Sequence, residues 1–177
     1  LDKVVQRIGR PINIISLDPH SMEDVMKDIV RIGEATGRIG RSRMLAGRLR
    51  SRIEAVRDCT LPVQKRPRVA CLEWLDPLIL AGHWMPEMVE LAGGLDDLVE
   101  RGGVSRRITL EELLTYGAEI LILMPCGMDI SRAVEELNHV TDLKKWTTLP
   151  AVISGQVYAV DSGSLYTRSG PRLVDGL

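Results

Sequence analysis

Phenylalanine is absent and aromatic residues make up only 3% of 177 positions, so the three Trp and three Tyr each carry information. Charge of one sign is lacking too: 23 basic against 24 acidic residues give a net charge of -1, which excludes a global field drawing in a polyanion. No apolar run approaches the about 20 residues of a membrane span, and no leader pattern is visible. The three cysteines, Cys59, Cys71 and Cys126, are odd in number and far apart. Without a CxxC or Cys/His cluster, a structural zinc site is excluded and no resident metal or cofactor is expected. There is no GxGxxG or GxxxxGK[ST] pattern, hence no dinucleotide or P-loop signature.

What remains is an ordinary globular composition, 45% hydrophobic and 27% charged, enough for one good core or one domain with an appendage. The chain is organised around residues 68–94, RVACLEWLDPLILAGHWMPEMVELAGG. Val69 to Leu72 form a short apolar run of the kind a strand buried on both faces shows. Asp76-Pro77 ends it, and a loop through Ala81-Gly82-His83 separates Trp74 from Trp84. From Pro86 the spacing predicts a helix closed by Gly93-Gly94. Ligands of open α/β sheets collect at loops following the carboxyl ends of strands, so this loop is expected to bind something large and flat.

Ahead of it, residues 12–17 read as a strand, and Ser21 as the cap of a helix whose stripe falls at 22, 25, 26, 29 and 30. A second helix is predicted over Arg38 to Arg57. It carries Arg38, Arg41, Arg43, Arg48, Arg50, Arg52 and Arg57, with no interleaved aromatic. A solvated helical face is the expectation, and a nucleic-acid helix the rival. Residues 59–67, with two prolines and no periodicity, read as a linker. Downstream, strand and helix repeat. Thr109 and Glu112 have capping-box spacing, which leaves Glu111 free to face solvent. Glu119 to Met124 is a buried strand ending in Pro125-Cys126-Gly127, Asp129 caps a helix, and a further strand is expected over Gln156 to Val160.

Cys71, in an apolar strand, is expected to act as a small hydrophobe. Cys126 lies in a loop without a His or acid at an informative spacing, and a thiol nucleophile needs an activating base or charge.

The stretch W-x-x-L-P-A-V-x-x-G-x-V-Y-x-V at Trp146 to Val160 resembles the end of periplasmic binding proteins for cobalamin, haem and ferric siderophores, which serve ABC importers. CLEWLDPLILAGHWMPEMVELAGG, with LMPCG and GPRLVDGL further on, most closely resembles the cobalamin-binding members. The resemblance covers nearly the whole chain. It implies an α/β fold: a Rossmann-like carboxy-terminal lobe with a mostly parallel sheet, a long inter-lobe helix, and a remnant of an amino-terminal lobe. The boundaries would be 1–37 for the remnant, 38–58 for the helix, 59–67 for the linker and 68–177 for the lobe. Both ends then read as trimmed.

The same resemblance implies a periplasmic or extracytoplasmic protein that captures a corrinoid in a cleft between lobes and delivers it to a permease, without catalysis. Carried over to matching positions, Trp74, Asp76, His83, Trp84, Arg106, Tyr166 and Arg168 are candidate cleft residues, and Glu111 is the candidate permease-docking residue. Indole faces suit the apolar body of a corrin, and polar side chains suit its amide fringe. Arg106-Arg107 stand where relatives often carry an aromatic, and a cation there would also suit a siderophore or haem propionates. A half cleft would leave a face for a second copy of the chain to cover. The rival of another class is a small α/β hydrolase-type enzyme using Cys126 or the Glu73/Asp76 pair.

Overall fold

Helix α1 (Met22–Ala35) starts where Ser21, in extended backbone, accepts the Asp24 N–H, as its cap position predicts. The computed structural model describes residues 12–140 and 142–177. Met22, Val25 and Met26 bury the α1 stripe against α2 (Ile39–Thr60). The two helices approach closely at Gly33, where an added Cβ would fall 1.9 Å from Ser42 Oγ. Helix α2 buries Ala46 and Leu49 and sets its arginines outward. Arg50 forks onto both Glu23 carboxylate oxygens at 2.9 and 2.6 Å, and Arg52 reaches Asp175 at 2.8 Å in the last helix, α9 (Leu173–Gly176). Exposed ion pairs of this kind contribute about 0–1 kcal/mol each, so the basic face is a solvated, stapled surface.

Two expectations are corrected here. Residues 12–17 form no strand: the segment has no ladder partner among the described residues, and an unpaired stretch cannot satisfy its backbone as a strand. Helix α2 also runs past Arg57 to Thr60, taking two residues from the expected linker. Thr60 Oγ1 donates to the Leu91 carbonyl at 2.7 Å.

The sheet consists of β1 (Val69–Leu75), β2 (Leu78–Leu80), β3 (Arg106–Arg107), β4 (Ile120–Leu123) and β5 (Val157–Ala159), in the order β3-β2-β1-β4-β5. β1, β4 and β5 pair in parallel, while β2 is antiparallel to both its neighbours, so four of the five strands run one way. The fold is α/β with a mostly parallel sheet. The reversed strand is what the sequence concealed: Leu78 to Leu80 pair back on β1 as a hairpin, where a plain loop was expected.

Alternation along β1 sorts the two cores. Val69 and Cys71 face α1, α2, α3 (Met85–Leu91) and α9. Ala70 and Leu72 join Leu113 of α4 (Leu110–Tyr116), Trp146 of α6 (Leu143–Trp146) and Ala151 of α7 (Pro150–Ile153) on the other face. Cys71 is fully buried, and burial pushes its thiol well above the ordinary range, which makes it the inert hydrophobe expected. The Thr109/Glu112 capping box and the Asp129 cap of α5 (Ile130–Glu135) form as predicted. Among the described residues no helix is long and apolar enough to cross a membrane.

Candidate functional site

The carboxyl ends of β1, β4 and β5 open together, because β1 and β4 run in register from Val69↔Ile120 to Leu72↔Leu123 and β5 follows alongside. At that end lies a cleft of about 280 Å³. Glu73 lines it as the residue just beyond the β1–β4 pairing, Met124 and Cys126 as those just beyond β4, and Ser162, Tyr166, Thr167 and Ser169 as those that follow β5 through α8 (Ser162–Leu165). Ala81 to Met85 form a further wall, Ser105 lies beside Glu73, and Asp18-Pro19 edge the opening.

The wall at 81–84 is fixed through its backbone. Gly82 has no room for a side chain: a Cβ would sit 2.5 Å from backbone atoms of Gly103, Val104 and Ser105. His83 takes a left-handed conformation, φ +56°, which histidine adopts more readily than most residues. Its N–H donates to the Gly103 carbonyl at 2.6 Å, and its own carbonyl accepts the Gly102 N–H at 3.2 Å. The residue is thereby clamped with its imidazole on the cleft. Trp84 follows, 9% exposed, its indole N–H donating to the Tyr166 carbonyl at 3.2 Å. Tyr166 is itself anchored, its hydroxyl donating to the Gly176 carbonyl at 2.7 Å, and burial raises that hydroxyl's pKa.

The Asp18–His20 edge is held just as firmly. Glu87 of α3 accepts the Met22 N–H at the start of α1 at 2.7 Å, and Arg101 pairs with Glu87 at 3.2 Å. His20 Nδ1 lies 2.8 Å from the Gly102 carbonyl; since a carbonyl only accepts, Nδ1 carries the proton. That carbonyl, and secondarily the nearby Asp18 carboxylate, raise the His20 pKa above the ordinary histidine value. The His20 and His83 rings stand 5.3 Å apart.

No protein-family model matches the chain, and no curated protein does. Solved structures do. An ABC transporter substrate-binding protein from Listeria monocytogenes EGD-e superposes with a TM-score of 0.79 at 20% identity, over 99% of this chain and 70% of that one. The periplasmic vitamin B12 binding protein BtuF of Vibrio cholerae gives 0.73 at 18%, over 98% and 65%. IsdE of S. aureus, solved in complex with heme, gives 0.77 at 18%, over 93% and 65%. The fold is that of periplasmic substrate-binding proteins. This chain spans about two thirds of the length of those structures, from 65% to 70%.

Against this binding-protein fold the seven expected cleft residues divide. His83, Trp84 and Tyr166 meet in the cleft. Trp74 does not line it while Glu73 does, the two falling at an irregularity of the β1–β2 pairing between Leu72 and Trp74. Asp76 is carried away at the hairpin turn, in a separate depression with Ile108 and Trp146. Arg106 lies on the outer strand β3, paired with Glu112 at 3.1 Å. Arg168 is exposed between Thr167 and Ser169, which line the cleft while it does not. Glu111 projects from the first turn of α4, 65% exposed, and pairs with Lys145 at 2.7 Å, which holds its carboxyl below the usual range. Ser105, Ser162 and Thr167 went unrecognised as cleft residues and Glu73 was singled out only for the rival enzyme, since isolated polar residues near strand ends carry no spacing signal. The Cys126 side chain has no hydrogen-bond partner among the described residues, and Glu73 and Asp76 line separate depressions, so neither version of the hydrolase alternative gains support from the geometry.

Proposed function

We propose that the chain is the substrate-binding component of an ABC importer, acting outside the cytoplasm, and that its ligand is a corrinoid delivered to the permease without chemical change. The observation that carries this is the composition of the cleft. It lies at the carboxyl ends of parallel strands, walled by Trp84, Tyr166 and His83, and no Lys or Arg is among the described residues that line it. Its 280 Å³ falls just below the usual range of ligand cavities, about 300 to 1,000 Å³, as suits a site that grips one edge of a broad disc. Arg106 stands on the outer strand β3 and is not among the described residues that line the cleft, so the cation that would favour a siderophore is not at this site. Haem stays as the second reading on one observation: the clamped His83 imidazole at the cleft could ligate an iron. Titration of this protein with cyanocobalamin, haemin and a ferric hydroxamate, followed by calorimetry and visible absorbance, tests the choice. The corrinoid is expected to bind most tightly, and preferential binding of either iron compound overturns it.

Glu111 is proposed to dock on cations of the permease. Its pair with Lys145 is exposed and screened by solvent, so a permease arginine can displace the lysine at little cost. Glu111→Lys is expected to leave the corrinoid dissociation constant within about twofold, as a distant surface change should. Uptake in cells carrying the transporter should fall sharply. Normal uptake would reduce Glu111 to a surface charge.

A further inference from the structure

The cleft floor contains one hydrogen-bond chain that the proposed capture does not yet use. The Gly82 N–H donates to Ser105 Oγ at 3.3 Å, and Ser105 Oγ donates to Glu73 Oε2 at 2.5 Å. The backbone of residues 82 and 103–105 is locked by the close approach at Gly82, so Ser105 cannot drift and Glu73 is held by one oxygen. Its other oxygen, Oε1, has no partner among the described residues, while the side chain lines the cleft. A carboxylate offers only acceptor sites, so the open oxygen asks for a donor. The described residues that line the cleft with it supply hydroxyls, two thioethers, a thiol, an imidazole and the Asp18 carboxylate, and none of them is a Lys or Arg.

We infer that Glu73 is a specificity-determining residue: it accepts a hydrogen bond from a primary amide on the ligand's edge and repels a ligand that presents carboxylate there. The inference rests on the disc-binding reading of this cleft and names the fringe chemistry the cleft selects. A neutral amide N–H meets Oε1 directly as a charge-assisted bond, the stronger kind. A carboxylate at the same place would set two like charges side by side in a partly water-excluded site, which disfavours binding. The held geometry matters as much as the charge. A floppy glutamate could turn aside for an anionic guest, but one fixed by Ser105 must lose that bond first.

The test uses two discs of one body and different fringe: dicyanocobinamide, edged by amides, and dicyanocobyrinic acid, edged by carboxylates. Wild-type protein is expected to bind the amide form at least about tenfold more tightly at neutral pH, the worth of about one charge-assisted bond. Glu73→Gln keeps the shape and can still accept from Ser105, but offers an N–H to a carboxylate. It should narrow that ratio to within about threefold, chiefly by gaining affinity for the acid. If the variant fails to fold, the wild-type protein serves alone. Raising salt from about 50 to about 500 mM should then strengthen binding of the acid and leave the amide form nearly unchanged, because screening weakens repulsion. Equal wild-type affinities, an unchanged ratio in Glu73→Gln, or acid binding that weakens with salt would overturn the role of Glu73 while leaving the cleft a corrinoid site. Binding of neither disc would overturn the disc-binding reading itself.

Discussion

Trp84→Ala should lower the unfolding free energy by about 3–5 kcal/mol, the usual cost of truncating a buried aromatic. Although Trp84 is one wall of the cleft, it is only 9% exposed and packs in the cluster that includes Met22, Met85 and Met88. Its removal opens a void between α1, α3 and the sheet and leaves the Tyr166 carbonyl without its 3.2 Å donor. Against a typical stability of about 5–15 kcal/mol the loss is large, and the urea midpoint should fall by roughly 1.5–2.5 M. Trp84→Phe retains most of the buried area and loses the indole hydrogen bond, so it should cost about 1–2 kcal/mol. A cleft-facing indole resting on the surface would behave otherwise, with Trp84→Ala within about 0.5 kcal/mol of wild type. Urea unfolding of the two variants decides between these positions. Ligand affinity measured on Trp84→Ala confounds site and fold, and Trp84→Phe is the variant in which to read the ligand contact.

How far the sequence foretold this arrangement depends on the range of the interaction. The Ser21, Thr109 and Asp129 caps were legible because each is a bond between residues three apart in the chain. The strands at Val69 and Ile120 were legible because burial demands an unbroken apolar run, and the half-exposed one at Val157 because Gly155 marks a turn before it. The convergence of the loops after β1 and β4 followed from parallel connection, and the structure places Glu73 and Cys126 together at that end.

Register was the limit. Glu73 and Trp74 are neighbours, and only pairing tells which of the two faces the cleft: the strand continues past Leu72 into a hairpin, with an irregularity between Leu72 and Trp74. Placing both indoles in one seat treated residues 73–83 as loop, which the hairpin contradicts. The same hairpin carries Asp76 outward and lets Arg106 pair along the far edge as β3, where Glu112 takes its charge. Such long-range pairings leave no mark on composition or spacing. Residues 12–17 failed for the complementary reason: an alternating apolar segment has strand propensity, yet a strand exists only with a partner.

Asp96→Asn should make the protein more stable above neutrality, by about 1–2 kcal/mol, with the order reversing in acid. Asp96 follows α3 at the turn beyond Gly94. Its Oδ1 accepts the Leu98 N–H at 3.2 Å, while Oδ2 is buried with no partner among the described residues. Burial pushes the carboxyl up from 3.8 to about 6; the Leu98 and Val99 N–H groups partly oppose the rise, and Asp97 adds to it. Cys71 and Tyr116 are the other titratable groups that feel this carboxylate, and the Tyr116 hydroxyl, pushed up to about 12 chiefly by burial, offers no positive charge. A folded-state pKa above the unfolded one means that the folded state holds its proton more tightly. The stability contributed is therefore full below about pH 4 and is lost as pH rises through about 6. Two units correspond to about 3 kcal/mol at most. Asparagine has no proton to lose and keeps the acceptor for Leu98, but its amide N–H₂ inherits the unpartnered side at a cost of about 1 kcal/mol. The net gain of about 1–2 kcal/mol should appear in urea unfolding at about pH 8; the two curves should cross between about pH 4 and 5, and below that the variant should be the less stable by up to about 1 kcal/mol, the pH-independent cost of its amide. A variant no more stable than wild type at the higher pH would mean that Oδ2 meets water in solution and that the turn after α3 is looser than its geometry implies.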